Sequence, residues 1–140
     1  MKKLILLGVL LIISAVSFAQ CDKDLMLTSS KTEYLDSLGN FQRSVDEETV
    51  IKISKSKIVI TPAKSVEMVG NIESSKCDWK VAYKEGKTVS KVLFEGPLGS
   101  LHGTVTTEGS NGKLTFLVEL VEIPDTKIRV QLDTFQEALK

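Results

Sequence analysis

A single histidine, a single tryptophan and two cysteines in 140 residues leave little material for the chemistries that depend on those side chains. A serine triad would need His102 as its base, and no Gly-x-Ser-x-Gly elbow accompanies it. Zinc takes three or four ligands, and one histidine with two distant cysteines makes a poor set, so no metal or other cofactor is expected. The glycines fall between strand-like segments and not at the opening of a helix, where a phosphate-cradling loop would need them. Long basic runs are also missing: 18 lysines and arginines are interspersed among 18 acids, which argues against electrostatic capture of nucleic acid. There is no internal repeat, linker or low-complexity block to divide the chain.

What is present begins with Lys2 and Lys3, followed by an apolar run from Leu4 to Ile13 and a small-residue stretch that includes Ser17 and Ala19. That order is the signature of a secretory signal cut after Ala19, and the apolar stretch falls short of the roughly 20 residues needed to span hydrocarbon. Residues 1–19 are therefore read as a signal peptide and 20–140 as one domain in a periplasmic or secreted product with no membrane span after processing. Cleavage removes two lysines, leaving 16 cations against 18 acids and a formal charge of −2. A lipid anchor on Cys21 is the alternative, opposed by Phe18 and Gln20 in places where a lipoprotein signal wants an aliphatic and a small residue. Export to an oxidising compartment also makes a Cys21–Cys77 disulfide the preferred state of the two thiols, the alternative being Cys77 as a small buried apolar residue.

The rest of the chain alternates apolar and polar residues at period two, as half-buried antiparallel strands do. Trp79, Val81 and Tyr83 oppose Lys80, Ala82 and Lys84; Leu114, Phe116, Val118 and Leu120 form another face; Ile128, Val130 and Leu132 a third; Ile51 and Ile53 a fourth. Turn chemistry separates them at Leu38-Gly39-Asn40, Lys55-Ser56-Lys57, Glu85-Gly86-Lys87, Gly96-Pro97-Leu98-Gly99 and Gly109-Ser110-Asn111-Gly112. The pattern predicts strands near 25–35, 48–54, 57–61, 65–75, 78–84, 88–95, 100–108 and 113–122, with a ninth near 126–132. Asp133, with Gln136 at the capping-box position and Phe135 and Leu139 one turn apart, predicts a short C-terminal helix. The fold class is all-β: an antiparallel meander of about eight strands closing into a small barrel or sandwich.

In this layout, with Leu25-Met26-Leu27-Thr28-Ser29-Ser30 leading to a hairpin at Gly39-Asn40 and successive strands ending in a short helix, the chain resembles the small lipocalin-like proteins exported by many bacteria. The resemblance implies a barrel. It differs from the usual lipocalin pattern, which places a Gly-x-Trp in the first strand, whereas the tryptophan here is Trp79. No site residue is carried over.

Among candidate functional groups, His102 falls on the polar face of its strand with Ser100, Thr104 and Thr106. Asp46-Glu47-Glu48 lacks the oxygen spacing and glycine of a calcium loop and reads as a solvated loop, and Glu119, Glu122 and Asp125 read as rim charges. If the sheet curls into a barrel, Trp79, Tyr83, Phe94 and Phe116 become candidates to line an apolar ligand cavity; ordinary core packing is the competing role. The leading functional expectation is a non-enzymatic exported protein that binds a small apolar ligand. The alternative is a structural or protein-interaction domain of the cell envelope without a cavity, and a carboxylate enzyme ranks last. Ligand identity and oligomeric state are not encoded in any motif.

Overall fold

A computed structural model describes residues 19–97 and 99–138. Residues 1–18 of the expected signal peptide, the turn residue Leu98 and the helix position Leu139 lie outside the described residues.

A short 3-10 helix, Ala19–Asp22, leads into nine strands: β1 (Leu25–Leu35), β2 (Phe41–Ile53), β3 (Lys57–Pro62), β4 (Met68–Val81), β5 (Glu85–Gly96), β6 (Gly99–Ser110), β7 (Lys113–Leu120), β8 (Ile123–Gln131) and β9 (Thr134–Glu137). Each strand pairs antiparallel with the next through β8, and β1 closes the cylinder by pairing with β2 on one edge and β8 on the other. Closure leaves no long open edge in the wall. β9 continues the path of β8 past a break at Leu132 and Asp133, and covers the part of β1, Leu25–Thr28, that β8 does not reach. The result is an eight-stranded antiparallel barrel whose last strand is broken in two, the layout of a lipocalin-like barrel.

The predicted C-terminal helix is replaced by β9. A helix over these residues would leave the backbone groups of Leu25–Thr28 without partners on that edge; as a strand, Thr134–Glu137 satisfies them and turns Phe135 into the core. Two predicted strands, 65–75 and 78–84, merge into the 14-residue β4, whose pairing with β5 absorbs irregularities at Ile72/Ser74 and Trp79/Val81. The second irregularity leaves Trp79 buried and Val81 exposed, so the two do not share a face. The β4–β5 reversal lies at Ala82-Tyr83-Lys84, three residues before the predicted Glu85-Gly86-Lys87, with Tyr83 at φ 61°. Asn111 and Gly112 take φ 53° and 77°, the pair of positive values that a type I′ hairpin turn requires. Asp46-Glu47-Glu48 is not a loop; it lies inside β2, which starts seven residues earlier than the predicted strand.

Alternate residues from every wall strand point inward. Leu27 pairs with Ile51 and Ile51 with Ile60, while Val105 pairs with Val118 and Phe116 with Val130, so the apolar positions meet in layers. This core is closed to solvent: Leu27 and Ile51 are fully buried, with Trp79, Phe116 and Val92 nearly so.

Candidate functional site: an apolar mouth opposite a plugged base

The two ends of the barrel differ. At the base gather the 3-10 helix, the β2–β3, β4–β5 and β6–β7 turns, and β9. Trp79 packs edge-on against Phe135 with ring centroids 5.5 Å apart, and Tyr83 also packs edge-on against Phe135 at 5.1 Å. The Trp79 indole N–H donates to Thr88 Oγ1 at 2.7 Å, and the Thr88 hydroxyl donates in turn to Cys77 Sγ at 3.4 Å. Cys21 and Cys77 form the expected disulfide, with Cα atoms 6.1 Å apart, tying the 3-10 helix to β4. Burial, with Glu137 nearby, holds the Tyr83 phenol above its usual pKa. These rings plug part of the base, and a cleft of about 340 Å³ remains beside the disulfide, lined by Leu25, Ile53, Ile72, Cys77 and Thr88 together with the charged Asp22, Lys23 and Lys55.

At the other end stand the β1–β2 turn, the β3–β4 loop at 63–67, the β5–β6 turn and the β7–β8 turn. There the interior is not filled. A cavity of about 500 Å³ opens between β4, β5, β6, β7 and β8, lined by Met68, Phe94, Leu101, Leu120, Ile123 and Ile128. Its size falls within the range of small-molecule sites. Phe94 lies against bare backbone on both sides: a Cβ on Gly103 would stand 2.8 Å from its ring, and one on Gly70 also 2.8 Å. Two inward glycines therefore clear the space that the ring occupies, and the ring forms a flat wall of the cavity.

A smaller recess of about 100 Å³ continues under the β3–β4 loop, sharing Val66, Met68 and Ile128 with the larger cavity. Its lining is mainly apolar, with Ile51, Ile60, Phe116, Val118 and Val130, and Thr32, Tyr34, Glu47, Thr49 and Ser65 add a small polar share. Glu47 is 5% exposed; its Oε2 accepts the Lys64 backbone N–H at 3.1 Å and the Ser65 hydroxyl at 3.4 Å, which pins the loop over the opening. Arg43 stacks over the Tyr34 ring at 4.0 Å.

Of the six large apolar side chains exposed among the described residues, Leu38, Phe41, Val66, Val121 and Ile123 lie at this end and only Val81 at the base. On the outside of the rim, the His102 backbone N–H donates to Glu122 Oε2 at 2.8 Å while His102 Nδ1 sits 2.6 Å from Oε1. The side-chain hydrogen bond and the charge of Glu122 raise the His102 pKa, and the hydrogen bonds from His102 lower that of Glu122. Glu119 pairs with Lys127 at 3.1 Å. Among the described residues, no three His, Cys, Asp or Glu side chains group to hold a metal ion, and no helix is long and apolar enough to cross a membrane.

The four aromatic residues singled out from the sequence are thus divided. Phe94 lines the larger cavity and Phe116 the recess, whereas Trp79 and Tyr83 belong to the plug. The sequence reading missed Glu47 and Thr49, although a signal was there: extending the Ile53, Ile51 face of β2 backward in steps of two reaches both. Compared with protein-family models, curated proteins and solved structures, the chain matches none.

Proposed function

We propose that this protein is an exported, non-enzymatic carrier that holds a small, largely apolar molecule in the open end of its barrel. The observation that carries the reading is the asymmetry of the interior: at the base Trp79, Tyr83 and Phe135 pack together and leave a smaller, more polar cleft of about 340 Å³ beside the disulfide, while the mouth keeps an apolar space of about 500 Å³. A barrel needing only stability would fill the apolar space at its mouth, since unfilled apolar volume forfeits packing. The exposed apolar side chains around the mouth favour approach by an apolar molecule. Export is supported by the N-terminal sequence pattern and by the disulfide, a bond typical of oxidising compartments.

Native mass spectrometry of protein purified from its own host, paired with displacement of an apolar fluorescent probe, tests the reading. Bound mass of a few hundred daltons at most and saturable displacement are expected. Absence of bound mass, probe uptake and lipid-induced thermal shift would sink it. The same exposed rim favours a second reading, a protein-contact module, which predicts that rim substitutions such as Leu38→Ser and Val121→Ser abolish association with a partner while leaving probe uptake intact.

A further inference from the structure

The exposed apolar side chains at the mouth stand on turns that hydrogen bonds lock. Leu38, 84% exposed, is at the tip of the β1–β2 turn, where Asp36 Oδ1 accepts the backbone N–H of Leu38 at 2.9 Å and that of Asn40 at 2.8 Å. Val121, 71% exposed, is on the β7–β8 turn; its backbone N–H donates to the His102 carbonyl at 2.8 Å, and His102 also holds the carboxylate of Glu122. Val66, 68% exposed, lies on the β3–β4 loop that Glu47 pins. These are fixed projections from three separate connections at one end, whereas Lys55, Lys84 and Asn111 occupy the turns at the other. Val66 and Ile123 also line the larger cavity, so apolar surface continues from the outside of the rim into the interior.

We infer that the mouth docks on the surface of a lipid bilayer with zwitterionic headgroups, from which the carried molecule passes into the cavity. This rests on the carrier reading above and adds the partner from which the ligand is drawn. Separate apolar points spread around an opening suit a fluid surface, which moulds to each of them, better than a protein surface, which must match them in shape. The continuous apolar surface spares an apolar molecule from crossing water between bilayer and cavity. Charge selects the lipid. The mouth connections and the strand ends beside them carry Asp36, Glu67, Glu95 and Glu122 against Lys64 and the His102 that Glu122 holds. An anionic surface is therefore repelled, whereas a zwitterionic one presents its ammonium groups to these acids. The same acids oppose a mouth-to-mouth contact with a second copy.

The test follows Nile red as it passes from loaded protein to vesicles that carry a quencher, with flotation of the unloaded protein alongside. Phosphatidylcholine vesicles should float the protein, and the transfer rate should rise in proportion to vesicle concentration, as contact between the two requires. Replacing half of the phosphatidylcholine with phosphatidylglycerol should weaken flotation by about threefold or more. Leu38→Ser and Val121→Ser should each weaken docking and slow transfer by roughly three- to tenfold, with probe affinity unchanged. Far-UV circular dichroism of both variants should stay that of a barrel, since neither side chain belongs to the core. A transfer rate independent of vesicle concentration, or variants that dock as the parent does, overturns the docking and leaves the carrier reading standing. A concentration-dependent dimer that Leu38→Ser disperses assigns this face to a second copy and overturns it as well. Failure to take up Nile red removes the carrier reading, and flotation then still decides whether the mouth meets lipid.

Discussion

Removal of the Cys21–Cys77 disulfide should lower stability by a large and calculable amount without touching the mouth. The bonded residues are 56 apart in sequence, and closing a loop of that length removes about 14 cal/mol/K from the unfolded chain, or about 4 kcal/mol at 25 °C. That is a large share of the roughly 5–15 kcal/mol by which a domain of this size is stable. With a urea m-value of about 2 kcal/mol/M, the unfolding midpoint should fall by roughly 2 M. Trp79 provides the signal, being 2% exposed in the plug beside the bond. The comparison is of oxidised protein, reduced protein and a Cys21→Ala/Cys77→Ala double variant. The two thiol-free or reduced forms should agree with each other, and both should retain probe uptake, because the bond lies at the base and the cavity at the mouth. A midpoint shift below about 0.5 M in both would refute the loop-closure argument for this chain. Loss of probe uptake with the fold intact would refute the separation of plug and mouth.

Further outcomes follow from the same geometry. Ligand uptake should leave the Trp79 emission maximum unmoved while an extrinsic probe responds, since Trp79 packs in the base; a saturable shift in tryptophan emission would contradict this placement. Gly103→Ala should destabilise by about 1–3 kcal/mol, because its Cβ would stand 2.8 Å from the Phe94 ring and 3.2 Å from Leu120, and Phe94→Leu in the same chain should recover part of the loss in thermal melts. Leu101→Asp should abolish displacement of the probe while far-UV circular dichroism stays that of a barrel, as the substitution sets a charge in the apolar lining at the mouth. His102 should titrate by NMR above the ordinary 6.5 and return toward it in Glu122→Gln. Its raised pKa gives a contribution to stability that is full below 6.5 and lost as pH rises through the folded value; the lowered pKa of Glu122 gives one present above 4.5 and lost as pH falls through its folded value. The pair is therefore strongest between 4.5 and 6.5, and a rim hairpin equally protected from hydrogen exchange at pH 5.5 and pH 9 would count against it.

Alternation was legible wherever a strand buries one face and wets the other. Leu114, Phe116, Val118 and Leu120, and again Ile128, Val130 and Leu132, point inward as their spacing requires, because one residue's step turns a side chain to the opposite face. The Asn111-Gly112 turn was equally plain, since few residue pairs accept two positive φ values. Alternation misled at irregularities. The Trp79/Val81 shift breaks the face shared by Trp79, Val81 and Tyr83, and such a shift is set by the pairing of β4 with β5, which no local pattern reports. The C-terminal segment has a helical spacing of Phe135 and Leu139 and a capping residue, yet the open edge of β1 outweighs that local preference.

The candidate site was less legible than the fold. Phe94 and Phe116 were found as inward aromatics, but their difference from Trp79 and Tyr83 depends on which end of the cylinder each occupies, and strand direction decides that only after closure. Glu47 read as solvated because acidic runs usually are; in the barrel its position in β2 turns it inward beneath the β3–β4 loop.

By itself, then, the sequence determined an antiparallel all-β chain, the positions of most reversals and the two cysteines available to bond, because period-two burial and turn conformation are local properties carried by adjacent residues. Tertiary structure alone decided that the sheet closes, that the two thiols come within bonding range, and that Trp79, Tyr83 and Phe135 gather at one end while an apolar space stays open at the other. Those outcomes depend on residues distant in sequence meeting across the cylinder, and the register that brings them together is a property of the whole sheet.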